Sequence, residues 1–575
     1  MLKMFKYLKE YWWQILLVVI FVVIQTYTDL TLPEYMSKIV DTGIVNSDTD
    51  YIIKVGFQML GLALFGAVAT IIVGYFSSRV ASGTSKRLRK EVFEKVTNFS
   101  SEEIDKFSPA SLITRTTNDI QHVQMAIFMF LRMLLMAPII GIGGVTKVIK
   151  NSPSLTWVIA VAVGLLFIVI VILFSLVMPK FKMFQKLVDR LNLVTRENLT
   201  GLRVIRAFNN EEYQEQKFDK ANKDLTKLSL FVNKVMILLQ PSTMLIMNIT
   251  TIAVIWFGSH FVDAGTLQIG SLMAFIQYAM QIMTSFMMLS MLFVIVPRAS
   301  ISANRIIEVL ETEPKIKNPV EGKVANKNLI GQVEFKNVSF AYTDADEAVL
   351  TDISFIAESG KTTAFIGSTG SGKSTLINLI PRFYDVTDGE ILVSGVNVKD
   401  YTQHELRKNI GYVPQKGVLF SGTIKSNLKY GNSKLTDEEM KEVARVAQAL
   451  EFIESKDKKF DSHISQGGKN VSGGQKQRLS IARALAKKPD IFIFDDSFSA
   501  LDFKTDKVLR SELKKHTKKA TVLIVAQRIS TIMNADKIVV LDEGKIVGMG
   551  THKELVKTCD VYREIALSQL SEEEL

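Results

Sequence analysis

The chain has 575 residues, of which 47% are hydrophobic, and it carries a formal net charge of +11 at pH 7. This length allows several domains, and the apolar fraction excludes an ordinary soluble protein. The basic residues lie mainly in loops between apolar runs, which favours a membrane surface with anionic lipid as partner and argues against nucleic acid. The single cysteine, Cys559, excludes an internal disulfide.

Six apolar runs occupy the first half of the chain, and each has the ~20 residues needed to cross the hydrocarbon core of a bilayer. They cover residues 14–34, 56–78, 127–148, 155–178, 235–260 and 270–297. The long segments 79–124 and 179–234 between them are basic, whereas the loop near Asp41 is acidic. The distribution of Lys and Arg therefore places both long segments and both termini in the cytoplasm.

The two long segments carry helical periodicity, which predicts that they extend the membrane helices into the cytoplasm. The first contains residues 107–120 (FSPASLITRTTNDI), and the second contains residues 197–208, with Gly201 and Arg206. Taken alone, either motif is equally compatible with a surface helix.

A candidate substrate path lies within the spans. Asp29 and Arg132 stand at membrane depth, where ionisable groups by default face a bundle interior or a water-filled path. The last span is rich in methionine, whose flexible thioether suits a surface that accommodates several apolar ligands. The predicted path consists of Asp29, Arg132, Met280, Met283 and Met287. The alternative interpretation is that the methionines pack between helices or face lipid.

A polar segment at 311–331 contains two prolines, which is typical of a linker. It separates a predicted membrane domain at 1–310 from a predicted soluble domain at 332–575. In the soluble domain, the run from Val333 to Tyr342 alternates as a strand does. Tyr342 ends that run and is well placed to stack on an adenine; as a lone aromatic it would be a core residue.

The motif G-x-x-x-x-G-K-[ST] follows a short apolar strand pattern and precedes a helical pattern, which is the context that a phosphate-binding loop requires. Its glycines let successive backbone N–H groups turn towards one anion, and the helix N-terminus adds partial positive charge. Lys373 would reach the outer phosphates, and the Ser374 hydroxyl would ligate Mg²⁺. The predicted ATP-binding residues of the loop are Gly367, Ser368, Thr369, Gly370, Ser371, Gly372, Lys373, Ser374 and Thr375.

Three further polar residues follow predicted strands. Gln415 ends a strand and carries an amide that could ligate Mg²⁺ beside ATP. The buried strand at 491–494 ends in Asp495, placed to hold Mg²⁺ through water, and in Asp496, where a general base for the attacking water would sit. The predicted metal ligands are therefore Ser374, Gln415 and Asp495.

A second glycine-opened helix start is formed by Val471, Ser472, Gly473, Gly474 and Gln475. It is another anion site on the same domain, since the helical run 476–485 follows it directly. One nucleotide cannot use both sites within one copy, but a head-to-tail pair of copies could close each other's sites. A loop of Ser499, Ala500, Leu501 and Asp502 follows the strand that carries the two aspartates.

These motifs together resemble an ABC exporter half-transporter of the multidrug type over essentially the whole chain. The resemblance implies a membrane α-helical domain of six transmembrane helices with long cytoplasmic extensions, fused to an α/β P-loop nucleotide-binding domain with a helical subdomain. It identifies Tyr342 as the adenine-stacking residue, Gln415 as the Q-loop, residues 471–475 as the signature that completes a partner's ATP site, and residues 499–502 as the D-loop. It also implies ATP with Mg²⁺ and a second half-transporter as partner.

Two catalytic positions depart from this family. Asp495 matches the Walker B aspartate of the family, and the residue after it is Glu in active members but Asp496 here. The switch-loop residue is His in active members but Gln527 here. Asp is one methylene shorter, and a displacement of about 1 Å can lower a rate about a hundredfold. Gln527 can hydrogen-bond a γ-phosphate but cannot relay charge as an imidazole does. Both positions are interpreted as degenerate; the alternative is drift within an active homodimer.

The sequence therefore predicts ATP-driven export of hydrophobic or amphipathic compounds by one half of a heterodimeric ABC exporter in a bacterial inner membrane. Its own site would bind ATP but hydrolyse it poorly, while its signature would complete the active site of the partner. Three alternatives remain open: an active homodimer, an exporter of lipids or peptides, and an ATP-sensing regulatory membrane protein.

Overall fold

The structure, a computed structural model, describes residues 4–343, 345 and 347–572. The chain divides into two compact units. The first comprises Met1–Thr97 and Pro109–Thr312, and the second comprises Asn98–Ser108 and Glu313–Leu575.

Eleven α-helices precede residue 312 in the described part of the chain, and the fourth of them belongs to the second unit. They are α1 (Phe5–Leu8), α2 (Trp12–Lys38), α3 (Thr49–Thr97), α4 (Ser101–Phe107), α5 (Pro109–Thr114), α6 (Ile120–Met129), α7 (Leu135–Asn151), α8 (Thr156–Ala207), α9 (Glu211–Ile237), α10 (Leu239–Asp263) and α11 (Ile269–Glu311). Short π-helical turns at Ile39–Ile44, Arg115–Asp119 and Phe130–Leu134 extend or join them.

Six apolar helices, counted over the described residues, are long enough to span a membrane, as the sequence predicted. They cover Lys6–Ile44, Thr49–Thr97, Pro109–Asn151, Pro153–Ala207, Glu211–Asp263 and Ile269–Glu311. The prediction of long helical extensions is also confirmed: α3 has 49 residues and α8 has 52. At 1.5 Å per residue these helices are about 74 Å and about 78 Å long, more than twice the ~30 Å of hydrocarbon.

The core of the first unit lies where α7 approaches α2 and α11. A Cβ atom added to Gly143 would lie 2.4 Å from Leu30 Cδ1, and one added to Gly144 would lie 2.7 Å from Ile282 Cγ1. Small residues allow helix backbones to approach closely where lipid gives no hydrophobic drive between helices. The glycines therefore fix the close packing of these three helices around a buried apolar cluster that includes Met283.

The motif in the first long segment, at residues 107–120, contacts the end of α11. Arg115 Nη1 donates to Glu308 Oε2 at 2.7 Å and to the backbone oxygen of Arg305 at 2.7 Å. Ser302 Oγ donates to Asp119 Oδ1 at 2.8 Å. Because Asp119 is buried and accepts a hydrogen bond, its desolvation is partly offset. The motif thus holds together two segments that lie 183 to 193 residues apart in the chain.

Over its described residues, the second unit contains twelve strands and the remaining helices. The strands are β1 (Val333–Phe340), β2 (Leu350–Ala357), β3 (Thr362–Gly367), β4 (Asp388–Val393), β5 (Val396–Asn397), β6 (Ile410–Val413), β7 (Gly422–Thr423), β8 (His463–Ile464), β9 (Ile491–Asp495), β10 (Thr521–Val525), β11 (Lys537–Asp542) and β12 (Lys545–Gly550). The helices are α12 (Lys373–Leu379), α13 (Gln403–Lys408), α14 (Ile424–Lys429), α15 (Asp437–Val446), α16 (Leu450–Glu454), α17 (Gly473–Ala486), α18 (Phe503–His516), α19 (Ile529–Ile532), α20 (His552–Thr558) and α21 (Asp560–Leu567).

The central sheet has the strand order β12-β11-β3-β10-β9-β6. Its five strands from β11 to β6 are parallel, and β12 pairs antiparallel at the edge. A second, antiparallel sheet has the order β2-β1-β4-β5. The segment between β6 and β9 contains the helices α14–α17 and the two short paired strands β7 and β8. The carboxyl ends of β3, β6, β9 and β10 therefore meet at one edge, where open α/β sheets bind ligands.

Residues 98–108 form part of the second unit, which differs from the predicted membrane domain of 1–310. Ser100 caps α4, since the backbone N–H of Ser100 donates to Glu103 Oε2 at 2.7 Å. Glu103 Oε1 in turn accepts from the backbone N–H of Lys315 at 3.1 Å, and Tyr384 donates its hydroxyl to Asp105 at 3.3 Å. The sequence did not show this association, because more than 200 residues separate α4 from these partners.

Candidate ATP-binding and hydrolysis site

The phosphate loop joins the carboxyl end of β3 to the start of α12. A Cβ atom on Gly367 would lie 1.9 Å from the backbone oxygen of Leu541, so only glycine fits there. Gly372 has a φ of +89°, in the left-handed region that favours glycine, and is the N-cap of α12. The loop thus places the helix N-terminus at the edge where the parallel strands end, a suitable position for an anion.

Lys373 folds back onto its own loop. Its Nζ donates to the backbone oxygens of Gly367 at 3.0 Å and Ser368 at 2.5 Å, and to Ser371 Oγ at 3.1 Å. Burial lowers the pKa of this ammonium, and the carboxylates of Asp496 and Asp495 oppose that shift. A phosphate in the loop would exchange neutral acceptors for charged oxygens, which form stronger hydrogen bonds with a cation.

The predicted magnesium ligands lie together. Ser374 Oγ donates to Asp495 Oδ1 at 2.8 Å, joining the start of α12 to the end of β9. Hydroxyl, amide and carboxylate oxygens are the ligands that Mg²⁺ prefers. The donor set of Ser374, Asp495 and Gln415 therefore fits a Mg²⁺ ion carried in with ATP.

Tyr342 lies beside this loop. Its hydroxyl is 3.0 Å from Thr375 Oγ1, and its ring packs edge-on against Phe340 and Tyr384, with centroids 4.9 Å and 5.3 Å away. The side chain is 36% exposed, so part of the ring remains free for a ligand. This geometry is compatible with the predicted stacking on adenine.

Asp496 is held by two amides. Gln415 Nε2 donates to Asp496 Oδ2 at 3.3 Å, and Gln527 Nε2 donates to the same oxygen at 3.2 Å. These amides follow β6 and β10, the two strands that flank β9, so the sheet order brings all three side chains to one point. Asp496 has a φ of +42°, a strained value for a residue with a side chain.

Burial raises the pKa of both aspartates at the end of β9. For Asp495 the hydrogen bond from Ser374 partly offsets this effect, and for Asp496 the hydrogen bonds from Gln415 and Ser499 do so. A raised pKa makes a carboxylate a better proton acceptor. The carboxylate of Asp496 is therefore chemically suited to accept a proton from a water molecule within hydrogen-bond reach.

The signature residues stand apart from this cluster. Ser472 is the N-cap of α17: its Oγ accepts from the backbone N–H of Gln475 at 3.2 Å, and Gln475 Oε1 accepts from the N–H of Ser472 at 3.0 Å. Among the described residues, no hydrogen bond of this capping box reaches the phosphate loop. Ser472 and Gly473 are exposed, and Val471 is buried. The signature is therefore an open helix N-terminus available to another molecule.

The D-loop follows the two aspartates. Ser499 Oγ donates to the backbone oxygen of Asp496 at 2.8 Å, and Asp502 caps α18 by accepting from Thr505 N at 2.9 Å. Ser499 and Ala500 are exposed, whereas Leu501 is buried. A Cβ atom on Gly474 would lie 3.3 Å from the backbone oxygen of Ala500, so signature helix and D-loop are neighbours.

The predicted path residues lie in the first unit, on α2, α11 and the π-helical turn before α7. Met280 is 39% exposed and Met287 is half-buried, whereas Met283 is buried in the helix core. Asp29 and Arg132 are half-buried. Of the five predicted path residues, Met283 therefore packs in the helix core, whereas the other four keep some exposed surface.

Gln569 was missed by sequence reasoning. Its Nε2 donates to the backbone oxygen of Gln527 at 2.9 Å, and its Oε1 accepts from the backbone N–H of Ile529 at 2.8 Å. The side chain, just beyond α21, therefore hydrogen-bonds to the backbone on both sides of Arg528, within the switch loop at residues 527–529. A lone glutamine some 40 residues downstream gives no sequence signal of this contact.

Replacing Gln569 with Ala is expected to loosen the switch loop without unfolding the domain. Each hydrogen bond contributes about 1 kcal/mol, so the amide hydrogen of Ile529 should exchange about fivefold to tenfold faster. Hydrogen exchange measured by mass spectrometry on the purified full chain tests this. The matched control is Gln569→Glu, which keeps the acceptor for Ile529 but loses the donor to Gln527; its exchange should be intermediate. Unchanged exchange in the Ala variant would show that the two hydrogen bonds of Gln569 do not stabilise the switch loop.

Comparison with known proteins agrees with this geometry. The model of the ABC transporter transmembrane region matches residues 15–286, and the ABC transporter model matches residues 350–499. In a solved structure, a bacterial Atm1-family ABC exporter with ATP bound, the fold superposes with a TM-score of 0.80 at 24% identity, covering 98% of this chain and 99% of that one. This likeness concerns the fold.

Two relatives extend over almost the whole chain. An uncharacterized ABC transporter ATP-binding protein of Mycobacterium tuberculosis (strain CDC 1551 / Oshkosh) is 41% identical, over 95% of this chain and 94% of its own. An ATP-dependent lipid A-core flippase of Hahella chejuensis is 32% identical, over 99% of this chain and 97% of its own. With six apolar helices fused to a nucleotide-binding domain in one polypeptide, this chain belongs to the ABC transporters and is an exporter half-transporter.

Proposed function

We propose that this chain is the ATP-holding half of a heterodimeric ABC exporter of hydrophobic or amphipathic compounds. Its own site would bind ATP with Mg²⁺ and hydrolyse it slowly, while its signature, residues 471–475, would complete the active site of a different half-transporter. The setting would be a bacterial inner membrane, with the nucleotide-binding domain and both termini in the cytoplasm.

The observation that carries the proposal is the double amide contact at Asp496. One carboxylate oxygen, Oδ2, accepts from both Gln415 and Gln527. A base must lie within hydrogen-bond reach of the water it activates. Asp496 is one methylene shorter than the Glu of active family members, and here that oxygen is engaged by two donors. The attacking water would therefore meet a withdrawn and already partnered base.

Gln527 adds a second deficit. Its amide can donate to a γ-phosphate oxygen, but it cannot gain or lose a proton near neutral pH, whereas an imidazole can. The proposal that the site still binds ATP is supported by Lys373, Ser374 and Asp495, which keep the residue types of the family and lie at the carboxyl edge of the sheet. When bound, Mg²⁺ would neutralise charge on the β- and γ-phosphates. Binding is thus supported, and hydrolysis is not.

The intact signature would allow this chain to complete the ATP site of a partner. Gly473 and Gly474 open a 14-residue helix, whose first backbone N–H groups have no carbonyl partner within the helix. The partial positive charge of such a terminus stabilises a phosphate brought to it from outside. A half-transporter with a weak site of its own and a strong signature is best suited to complete the working site of a different chain.

A lipid substrate is the second candidate, favoured by the similarity to the lipid A-core flippase. Lipids and apolar drugs share a hydrophobic body, and the accessible methionine Met280 on α11 suits either. The two candidates differ in the substrate and agree on the ATP cycle.

The deciding experiment measures Mg-ATP turnover of the purified chain alone and then after co-purification with a second half-transporter encoded beside its gene. We expect little turnover alone and turnover at least ten times higher for the pair, because the partner would supply the working base. Nucleotide binding to the chain alone, followed with a fluorescent ATP analogue, serves as the control for a folded site. Brisk turnover alone would support an active homodimer instead.

Transport distinguishes an exporter from an ATP-sensing regulator. Inverted membrane vesicles that contain the pair should accumulate an amphipathic dye against its gradient when ATP is added. The control vesicles contain a pair in which Lys373 and the phosphate-loop lysine of the partner are both replaced with Ala. These vesicles should not accumulate the dye. ATP binding without uphill movement of any tested dye or lipid would favour the regulator.

A further inference from the structure

We propose that Gln477, on the helix α17 that begins at the signature, is a positioning residue that holds Gln415 in place for the magnesium ion of ATP. Gln477 lies two residues beyond the signature, and its side chain binds the backbone of the Q-loop, residues 414–417. The inference rests on the proposed role of Gln415 as a magnesium ligand. It goes beyond that role because it assigns the group that keeps the ligand in position.

The side-chain amide of Gln477 holds the Q-loop at two points. Its Oε1 accepts from the backbone N–H of Gly417 at 3.0 Å, and its Nε2 donates to the backbone oxygen of Pro414 at 3.1 Å. Because the Gln477 side chain is only 2% exposed, its amide depends on these two partners. Removing one partner of a buried hydrogen bond costs more than removing an exposed one. The amide therefore fixes the backbone immediately before Gln415 and shortly after it.

Close packing of the Q-loop on α17 leaves no room for a side chain at Gly417. A Cβ atom there would lie 2.9 Å from Ser480 Oγ and 3.0 Å from the backbone oxygen of Lys476. These two residues lie on α17, one position before Gln477 and three positions after it. Backbone contact and hydrogen bonds thus act at the same place and hold the loop against the helix.

Gln415 extends from this loop towards the end of β9. Its Nε2 donates to Asp496 Oδ2 at 3.3 Å, which leaves its Oε1 as the atom that can ligate Mg²⁺. The other two proposed ligands, Ser374 and Asp495, lie at the start of a helix and at the end of a strand, and they share a hydrogen bond. Gln415 belongs to no helix or strand. Its position therefore depends on what holds the loop, and Gln477 supplies two hydrogen bonds for this.

The same helix presents the signature at its N-terminus. Ser472 caps α17 and lies five residues before Gln477, which corresponds to a rise of about 7.5 Å along the helix. One helix thus carries both the end proposed to contact a partner's nucleotide and the amide that holds the Q-loop of the chain's own site. A displacement of α17 would therefore change the position of Gln415.

The test is the dependence of ATP binding on Mg²⁺, measured on the purified full chain with a fluorescent ATP analogue in Mg²⁺ and in EDTA. Gln477→Leu keeps the size of the side chain and removes both hydrogen bonds. Residues that hold a metal ligand contribute about tenfold to a hundredfold to metal affinity, so we expect affinity in Mg²⁺ to fall about tenfold. Affinity in EDTA should be unchanged, because Lys373 and the phosphate loop do not depend on the Q-loop.

Two further variants make the comparison specific. Gln415→Leu removes the proposed ligand itself and should lower the affinity in Mg²⁺ at least as much. Arg478→Met is the matched control on the same helix, because Arg478 Nη1 donates to the backbone oxygen of Gln448 at 2.9 Å, a partner outside the Q-loop. It should leave both affinities unchanged. Equal melting temperatures show that the variants are folded.

Gln477→Glu separates hydrogen bonding from packing. A protonated carboxyl group offers an acceptor for Gly417 and a donor for Pro414, whereas a carboxylate has no donor. Burial raises the pKa of such a carboxyl group, so its protonated form is present at low pH and is lost as the pH rises. Relative to the wild type at each pH, affinity in Mg²⁺ should therefore be close to one at about pH 6 and fall towards that of Gln477→Leu at about pH 8.5.

Hydrogen exchange of the nucleotide-free chain gives a readout that does not involve Mg²⁺. The amide of Gly417 loses its acceptor in Gln477→Leu and should exchange about fivefold faster, measured by mass spectrometry on peptides that contain it. Unchanged exchange would show that Gln477 does not hold the loop and would overturn the inference.

The binding data contain two further contradictory outcomes. If Gln415→Leu weakens binding in Mg²⁺ and Gln477→Leu does not, Gln477 is not a positioning residue. An equal loss in Mg²⁺ and in EDTA would also overturn the inference, since it indicates a general loss of the site. If Gln415→Leu itself has no effect, the proposed ligand role of Gln415 is refuted and the inference with it, which the exchange of Gly417 would distinguish from a failure of the contact.

Discussion

Replacing Asp496 with Glu and Gln527 with His in the same chain is expected to raise ATP turnover of the purified chain about a hundredfold. The extra methylene extends the carboxylate towards the γ-phosphate, and a displacement of about 1 Å is worth about a hundredfold in rate. Glutamate would also reach past the oxygen position that both amides now engage. Two copies of this chain provide two intact signatures, so the double variant needs no foreign partner to complete its sites.

The single variants separate the two deficits. Asp496→Glu alone should recover part of the rate, because burial already raises the pKa of this carboxyl and its basicity is not what limits it. Gln527→His alone should recover little, since the base would still be withdrawn. Asp496→Asn with Gln527→His is the control that keeps the size of the side chain and removes the base. If the double variant is as slow as the wild type, the limitation lies elsewhere than at these two positions.

Replacing Ser472 with Asp should reduce ATP turnover of the heterodimer at least tenfold, whereas Asp496→Asn should change it less than threefold. Aspartate caps a helix as well as serine does, so α17 keeps its N-cap. The added negative charge, however, repels the phosphate that this helix N-terminus would bind on the partner's nucleotide. The comparison therefore distinguishes a chain that serves its partner's site from a chain that works at its own.

The control for this comparison is Ser472→Thr, which keeps both the cap and the hydroxyl and should retain most of the turnover. Steady-state phosphate release from the co-purified pair is the measurement, with the helix content of each variant checked by circular dichroism. Equal losses for Ser472→Asp and Asp496→Asn would mean that both sites turn over, which contradicts the asymmetric assignment.

Much of the architecture follows from local sequence alone. A run of ~20 apolar residues has few stable arrangements other than a spanning helix, since backbone groups must be satisfied internally in lipid. The phosphate loop is equally local, because the glycines, Lys373 and Ser374 lie within eight positions between a strand and a helix. The two departures at Asp496 and Gln527 are likewise visible in the sequence, as differences in residue type.

The consequence of those departures depends on the tertiary structure. Gln415 and Gln527 are 81 and 31 residues from Asp496, and only the order of β6, β9 and β10 brings both amides to one oxygen. The hydrogen bond from Gln569 to the backbone of Gln527 likewise joins residues that lie 42 positions apart in the chain. Hydrogen bonds act over about 3 Å, and spacing along the chain does not predict such distances between strands and loops.

The same limit applies in the membrane domain. The sequence determined that Asp29, Glu34 and Lys147 lie in or beside apolar runs and that the last span is rich in methionine. The folded helices decided which of these charges are paired: Lys147 lies 2.6 Å from Glu34, while among the described residues no ion pair reaches the carboxylate of Asp29. Helix rotation and close packing also decided that Met283 is buried and Met280 accessible. Composition sets how many polar groups enter the membrane, but only packing determines which of them have partners.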